Sequence, residues 1–281
     1  MKNFFRVALS LGMLAGLILL ERKRPLRQQR ESKARRTGRN LAVASLGALT
    51  VNLLEAPVVR PLARMVEERR LGLLKRISLP RPLEILAAVL LMDYSLYLWH
   101  ILTHRVPFLW RFHAVHHVDL DLDASTALRF HFGELAVSVP YRAAQVVLIG
   151  VDPEALGWWQ RFLSLSILFH HSNLRLPRDL EAKLSWLLVT PGMHGIHHSN
   201  EAAEANSNWS SGLALWDRIH RTLRLDVPQE QIDIGVKGIQ SEEQVRLPAI
   251  LTQPFRDVPE VNAFLREPPA QSGASELETR R

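Results

Sequence analysis

Apolar residues gather in long unbroken runs along this chain instead of alternating with polar ones. The runs at 41–59 (LAVASLGALTVNLLEAPVV) and 82–99 (PLEILAAVLLMDYSLYLW) come close to the ~20 residues a helix needs to cross hydrocarbon, and both predict membrane spans. The run at 4–20 (FFRVALSLGMLAGLILL) has the length of a signal peptide. No small-residue cleavage site follows it and the next residues are strongly basic, so it predicts a short membrane helix with its C-terminus in the cytoplasm. Residues 134–151 and 155–170 form another apolar pair. The Asp152-Pro153 turn signal between them predicts a helical hairpin whose open ends return to one membrane face. The run at 184–190 (LSWLLVT) is too short to span and is expected at the interface. From Asp226 onward polar residues and prolines accumulate, and 267–281 read as a disordered tail. The pattern predicts an all-α fold, an integral membrane helical bundle with a histidine-rich helical cap on the cytoplasmic side, and shows no internal repeat.

Composition narrows the chemistry. The 281 residues include no cysteine, which excludes disulfides, thiolate zinc sites, iron–sulfur clusters and Cys-x-x-Cys-His haem attachment. Any metal must sit on histidine or carboxylate. The net charge of +7 would ordinarily suggest a nucleic-acid partner, but the excess is local. Residues 21–40 carry nine Lys or Arg against two Glu between two apolar runs, which reads as a positive-inside loop and not a nucleic-acid arm. One segment conflicts with simple alternation: 60–81 carries seven Lys or Arg on what would be the outer side. Either 41–59 and 82–99 make a shallow hairpin, or other signals override the charge rule.

The twelve histidines are clustered. His100 and His104 are four apart; His113, His116 and His117 stand at i, i+3, i+4; His194, His197 and His198 repeat that spacing. Residues three and four apart share a helix face, so each cluster can aim its imidazoles at a common point, and three short helices would supply eight ligands. Neutral imidazole is the usual ligand for zinc, iron, copper and nickel. Eight donors exceed what one ion takes, so two metals are expected. Spacing does not choose iron over zinc.

The series WHILTH, WRFHAVHH, STALRFHFGE, FHHSNLRLP, TPGMHGIHHS and LALWDRIHRTL, running in order from about residue 85 to 225, resembles the fatty acid hydroxylase and sterol desaturase superfamily of integral membrane di-iron oxygenases. The resemblance implies that His100, His104, His113, His116, His117, His194, His197 and His198 bind iron. It adds His131, in RFHFGE, where Phe132 stands in place of a common proline, and His171, before Ser-Asn. His170 and His220 are not assigned to the metals. The implied activity is O2-dependent hydroxylation or desaturation of a lipid C–H bond, on a fatty acyl chain, a sterol-like ring or an isoprenoid, by two iron ions. The chain then divides into N-terminal membrane helices and basic loops (1–81), a fatty acid hydroxylase-like di-metal domain (82–225) and a polar C-terminal region (226–281). Two other readings remain: a di-zinc lipid hydrolase, or a non-catalytic scaffold stapled by its metals.

Electrons must come from elsewhere, because no iron–sulfur, haem or Gly-x-Gly-x-x-Gly dinucleotide signature is present. An external electron-donor protein is expected on the cytoplasmic side of the inner or plasma membrane, near Arg105, Arg111 and the 21–40 segment. Carboxylates are expected to orient ring N–H groups or balance charge, with Asp93 and Glu134 the leading candidates and Asp121 and Asp123 more simply read as caps. Trp99, Trp110, Trp158 and Trp159 lie near span ends and predict an interfacial belt. Asp217 and Arg218 are expected to pack beneath the metal helices.

Overall fold

A computed structural model describes residues 2–264, with side chains from residue 12 onward. Its regular structure is helical, and among the described residues β pairing is confined to isolated bridges. The expected tail at 267–281 lies outside the described residues.

Helix α1 (Lys2–Lys23) contains the first apolar run. Helix α2 (Lys33–Thr50) passes through a π-helical turn, Val51–Glu55, into α3 (Ala56–Arg69). Pro57 and Pro61 each remove an N–H from the i→i−4 ladder, and the widened turn lies immediately before the first of them. Helix α4 (Arg81–Arg105) runs back in the opposite direction. The stretch from Lys33 to Arg76 and α4 are the two described segments long and apolar enough to cross a membrane. A short α5 (Pro107–His117) follows, then the hairpin of α6 (Phe132–Ile149) and α7 (Pro153–His171). Asp152 caps α7 by accepting from the N–H groups of Glu154 and Ala155, both at 3.0 Å.

The two hairpins point the same way. Gly72 and Gly150, both at positive φ, bring their tips into backbone contact, and the Leu73 N–H donates to Leu148 O at 2.9 Å. Beside them Asp152 takes Lys75 at 2.7 Å and Arg81 at 2.6 and 2.9 Å, while Lys75 also pairs with Glu84. Two of the seven cations of 60–81 are therefore neutralised there, at the end of the bundle away from 21–40. Between the tips and the histidines the helices share an apolar core that includes Val59, Ala63, Met92, Val146 and Trp159. The outward faces carry Leu53, Leu86 and Leu148, all largely exposed.

The remaining elements form the cap: α8 (Arg178–Leu184), α9 (Pro191–His197), α10 (Ala202–Ala205), α11 (Leu215–Ile219), α12 (Leu247–Thr252) and α13 (Pro259–Phe264). The polar region after residue 226 does not trail away. Val236, Ile239, Ile250, Val261 and Phe264 join Trp110 and Val115 in one buried cluster.

Two expectations are corrected. The 21–40 segment is not an open basic loop. Its second half begins α2, and buried Arg36 and Arg39 are used internally, Arg36 on Asp119 and Asp123, Arg39 on Glu31 and Asp119. The tryptophan belt reduces mainly to Trp158, which is 49% exposed. Trp110 is fully buried, stacking on Phe264 and donating its indole N–H to Val261 O at 2.8 Å, and Trp159 is also buried. In the 184–190 run, Trp186 and Leu187 are exposed while Val189 and Thr190 are buried.

Candidate metal centre

Helix α4 ends at Arg105, Val106 is extended, and Pro107 starts α5. That single-residue break folds the two helices together, so that rings thirteen positions apart meet: His100 and His113 at 3.2 Å, His104 and His117 at 3.1 Å, Nε2 to Nε2. Helix α9, capped by the Thr190 hydroxyl, brings His194, His197 and His198 in from the other side, and α7 ends on His171. Four helices supply the rings, not three.

The structure gathers nine imidazoles into two adjoining buried groups. His100, His104, His113, His117 and His197 form the first; His116, His171, His194 and His198 form the second. Each i, i+3, i+4 triplet is split between them. His113 and His117 stay together while His116 crosses over; His194 and His198 stay together while His197 crosses over. Residues i and i+4 are only about 40° apart around a helix, whereas i+3 lies on the other flank, so the split is the geometric result of 3.6 residues per turn.

The donor atoms fit metal ions. In the first group His100 Nδ1 lies 2.7 Å from Trp209 O, His197 Nδ1 2.9 Å from Ser207 O, and His113 Nδ1 2.8 Å from the Glu134 carboxylate. Those oxygens only accept, so each Nδ1 carries its proton and each neutral ring presents an Nε2 lone pair inward. Yet His100 Nε2 stands 3.2 Å from His113 Nε2 and 3.1 Å from His197 Nε2. Facing lone pairs repel unless a cation lies among them. Metal–nitrogen bonds of ~2.0–2.1 Å at roughly 90–110° place neighbouring donors about 3 Å apart. In the second group His171 Nδ1 likewise donates to Ile167 O at 2.8 Å, and its Nε2 lies 3.0 Å from both His116 and His194.

Burial keeps these rings neutral. It drives the pKa values of His116, His117, His194 and His198 well below 6.5, and neighbouring imidazoles add to the shift. Burial likewise pushes His197 down to about 3, against the opposing hydrogen bond to Ser207.

His131 does not join either group. It caps α6, accepting at Nδ1 from the Gly133 N–H at 2.9 Å, with Nε2 3.2 Å from Leu251 O. Both its nitrogens are occupied by backbone, which corrects its expected place among the ligands. His170 is buried against His194, with ring centroids 4.1 Å apart, but belongs to neither group. His220 packs against Tyr94 and Tyr97, with Nε2 3.1 Å from the Tyr94 hydroxyl, and belongs to neither group.

The fatty acid hydroxylase family profile matches residues 85–222, the stretch that contains all nine clustered rings. This chain belongs to the fatty acid hydroxylase and sterol desaturase superfamily. It is 28% identical over 179 residues to the ornithine lipid hydroxylase OlsE of Rhizobium tropici, covering 63% of this chain and 51% of that protein. It is 28% identical over 140 residues to the alkylglycerol monooxygenase of Xenopus tropicalis (50% of this chain, 30% of that one). It is 31% identical over 144 residues to human cholesterol 25-hydroxylase (50% and 51%). The matches thus cover about half or less of these relatives' lengths. No solved structure matches.

Around the centre of this hydroxylase-family protein the two leading carboxylates part ways. Glu134 touches His113 directly. Asp93 touches no histidine. It accepts from the Leu213 N–H at 3.0 Å and the Trp216 indole at 2.7 Å, fastening α11 to α4. Asp217 accepts from the Trp209 and Ser210 N–H groups, holding the strip whose Trp209 carbonyl orients His100. Asp121 receives the Arg30 and Glu31 N–H groups, and Asp123 the N–H and the hydroxyl of Ser125. Sequence reasoning passed over Asp119, which is fully buried among Arg36, Arg39, Arg129 and Asn40 directly after α5. Burial opposes its ionisation, but the three guanidiniums, Arg36 foremost, hold its carboxyl below the ordinary range.

An apolar cavity of about 220 Å³ opens on both histidine groups, reaching His100 and His113 of the first and His116, His171 and His194 of the second. Leu96, Leu135, Leu163 and Ile167 line its body, Leu96 one turn before His100 on α4 and Ile167 one turn before His171 on α7.

Proposed function

We propose that this protein is a membrane-bound di-iron oxidoreductase that uses O2 to hydroxylate or desaturate a C–H bond of a lipid. The observation that carries the proposal is the pair of buried imidazole groups with inward lone pairs at the end of an apolar cavity. Relatives named as lipid hydroxylases and monooxygenases support the reaction class. His100, His104, His113, His117 and His197 would hold one ion, and His116, His171, His194 and His198 the other. When bound, the iron pair supplies reductive activation of dioxygen.

The protein's own part is positional. Glu134, Trp209 O and Ser207 O fix the tautomer and tilt of three rings, which keeps the donors aimed inward. The apolar lining admits an alkyl or ring system and excludes water from the oxidising centre. Hydroxylation converts R–H, O2, two electrons and two protons into R–OH and water, so an external electron-donor protein completes the cycle. Arg105, exposed and next to His104, and the exposed Arg22, Lys23 and Arg24 suit an acidic donor on the cap side. That face is assigned to the cytoplasm on the basic character of 21–40.

The test is to supply the purified full chain with ferrous iron, a reductant and a broad lipid extract under air and under nitrogen, with 18O2 as tracer. The account predicts a lipid product formed only under air, carrying 18O where it is an alcohol. Product formation that is equal under nitrogen and independent of iron points to hydrolysis and refutes it.

A further inference from the structure

Arg142 is a half-buried charged side chain on the helical bundle. It stands on α6 eight residues beyond Glu134, and positions 134, 135, 138 and 142 all line the cavity that opens on the histidines. Eight residues of helix separate the two by ~12 Å, so the guanidinium lies well away from the imidazoles at the other end of the same cavity. The side chain is held firmly. Its plane lies over Trp159 at 4.3 Å, and Nη1 donates to Gln145 Oε1, whose own amide donates to Ser95 Oγ at 2.6 Å.

The opposite edge of the guanidinium is unused. Nε is buried without a partner, and among the described residues Nη2 has no hydrogen bond and Arg142 has no ion pair. Glu55 contributes an electrostatic field at this position but makes no ion pair with it. An arginine inside a membrane bundle is costly and ordinarily faces a counter-charge. Nε and Nη2 together present the side-on fork that receives a carboxylate through two parallel hydrogen bonds.

We propose that the Nε/Nη2 edge of Arg142 anchors the carboxylate of a single-chain lipid lying along this cavity, with its chain running toward the histidines. Between the two ends the leucines and isoleucine offer the chain contact, and the Ser138 hydroxyl there donates to Leu135 O at 2.8 Å. An extended chain needs on the order of ten carbons to cover the ~12 Å between Arg142 and Glu134, which sets the oxidised position well away from the carboxylate. The oxidised position rests on the lipid-oxidising function proposed above; the anchor itself does not.

Binding tests the anchor without turnover. The full chain in detergent is titrated with radiolabelled palmitate, and hexadecanol and hexadecyl phosphate are used as competitors. The account predicts that hexadecanol competes at least ~10-fold more weakly than unlabelled palmitate, as loss of charge-assisted bonds requires. It predicts that this preference disappears in Arg142→Gln. Arg142→Lys retains charge without the fork, should keep only part of the preference, and carries the test if Arg142→Gln fails to fold. Equal affinity for palmitate and hexadecanol in the native protein, or an undiminished preference in the variants, overturns the proposal. A tenfold advantage of hexadecyl phosphate over palmitate overturns the choice of a carboxylate. A preserved palmitate preference with no O2-dependent product would instead contradict the oxygenase reading and leave the anchor standing.

Discussion

The Glu134 carboxylate accepts from His113 Nδ1 at 2.8 Å while Nε2 of the same ring faces His100 at 3.2 Å. The carboxylate thereby decides which nitrogen of His113 is free to bind a metal. Replacing it with Gln keeps the shape but allows either tautomer. Glu134→Gln should weaken metal affinity by ~10–100-fold, with a fold and melting profile close to native. Competition with a graded series of chelators measures this, and unchanged affinity would contradict the role.

The split of the triplets gives a sharper prediction than ligand loss in general. His117→Ala should empty or weaken the first group and His116→Ala the second, although the residues are adjacent. His131→Ala should leave metal content unchanged and cost about 1 kcal/mol of stability through the lost cap of α6. Metal-to-protein ratios of the three variants read this directly. Loss of metal in His131→Ala would return that residue to the ligand set.

Asp93 is a fastener. Asp93→Ala leaves the Leu213 N–H and the Trp216 indole without their acceptor, which should cost roughly 1–3 kcal/mol while the clustered histidines keep their partners. Thermal melts of the variant alongside metal analysis check it. A variant as stable as native would show that the α4–α11 contact is dispensable.

Acid should destabilise the metal-free protein through its imidazoles. In the unfolded chain these titrate near 6.5, whereas in the fold His116, His117, His194 and His198 lie well below that and His197 near 3. Above about pH 6.5 both states are neutral and the rings add no pH dependence. As pH falls through 6.5 the unfolded chain takes up protons that the folded one refuses, costing ~1.4 kcal/mol per imidazole per pH unit until the folded value is reached. Melting temperatures should be level from pH 8 to 7 and fall steeply from 6.5 to 5. A rise on acidification would contradict the burial of neutral rings.

Spacing alone made the histidine-rich centre legible, because i, i+3 and i+4 on a helix leave few alternatives when repeated in one chain. It could not show which rings from other helices complete each group, since that depends on how α4, α5, α7 and α9 approach one another. Nor could it show the oxygens that orient His100, His197 and His171. These are backbone carbonyls of Trp209, Ser207 and Ile167, which any residue could supply. Glu134 and Asp93 looked alike as acids near histidines; only the packing of α11 separated them. Trp110 resembled a belt residue because it lies near the end of the 82–99 run; Val261 and Phe264, which bury it, come from a region of scattered apolar positions. Asp119 escaped attention because its partners Arg36 and Arg39 lie about eighty residues away, in a segment read as a free basic loop.

The most direct test of the central claim is the metal content of the full chain, purified in detergent and reconstituted anaerobically with ferrous iron. The account predicts two iron ions per chain, with X-ray absorption showing nitrogen donors and no sulfur. A single ion per chain, or iron that washes away and leaves the fold and its stability unchanged, would contradict it.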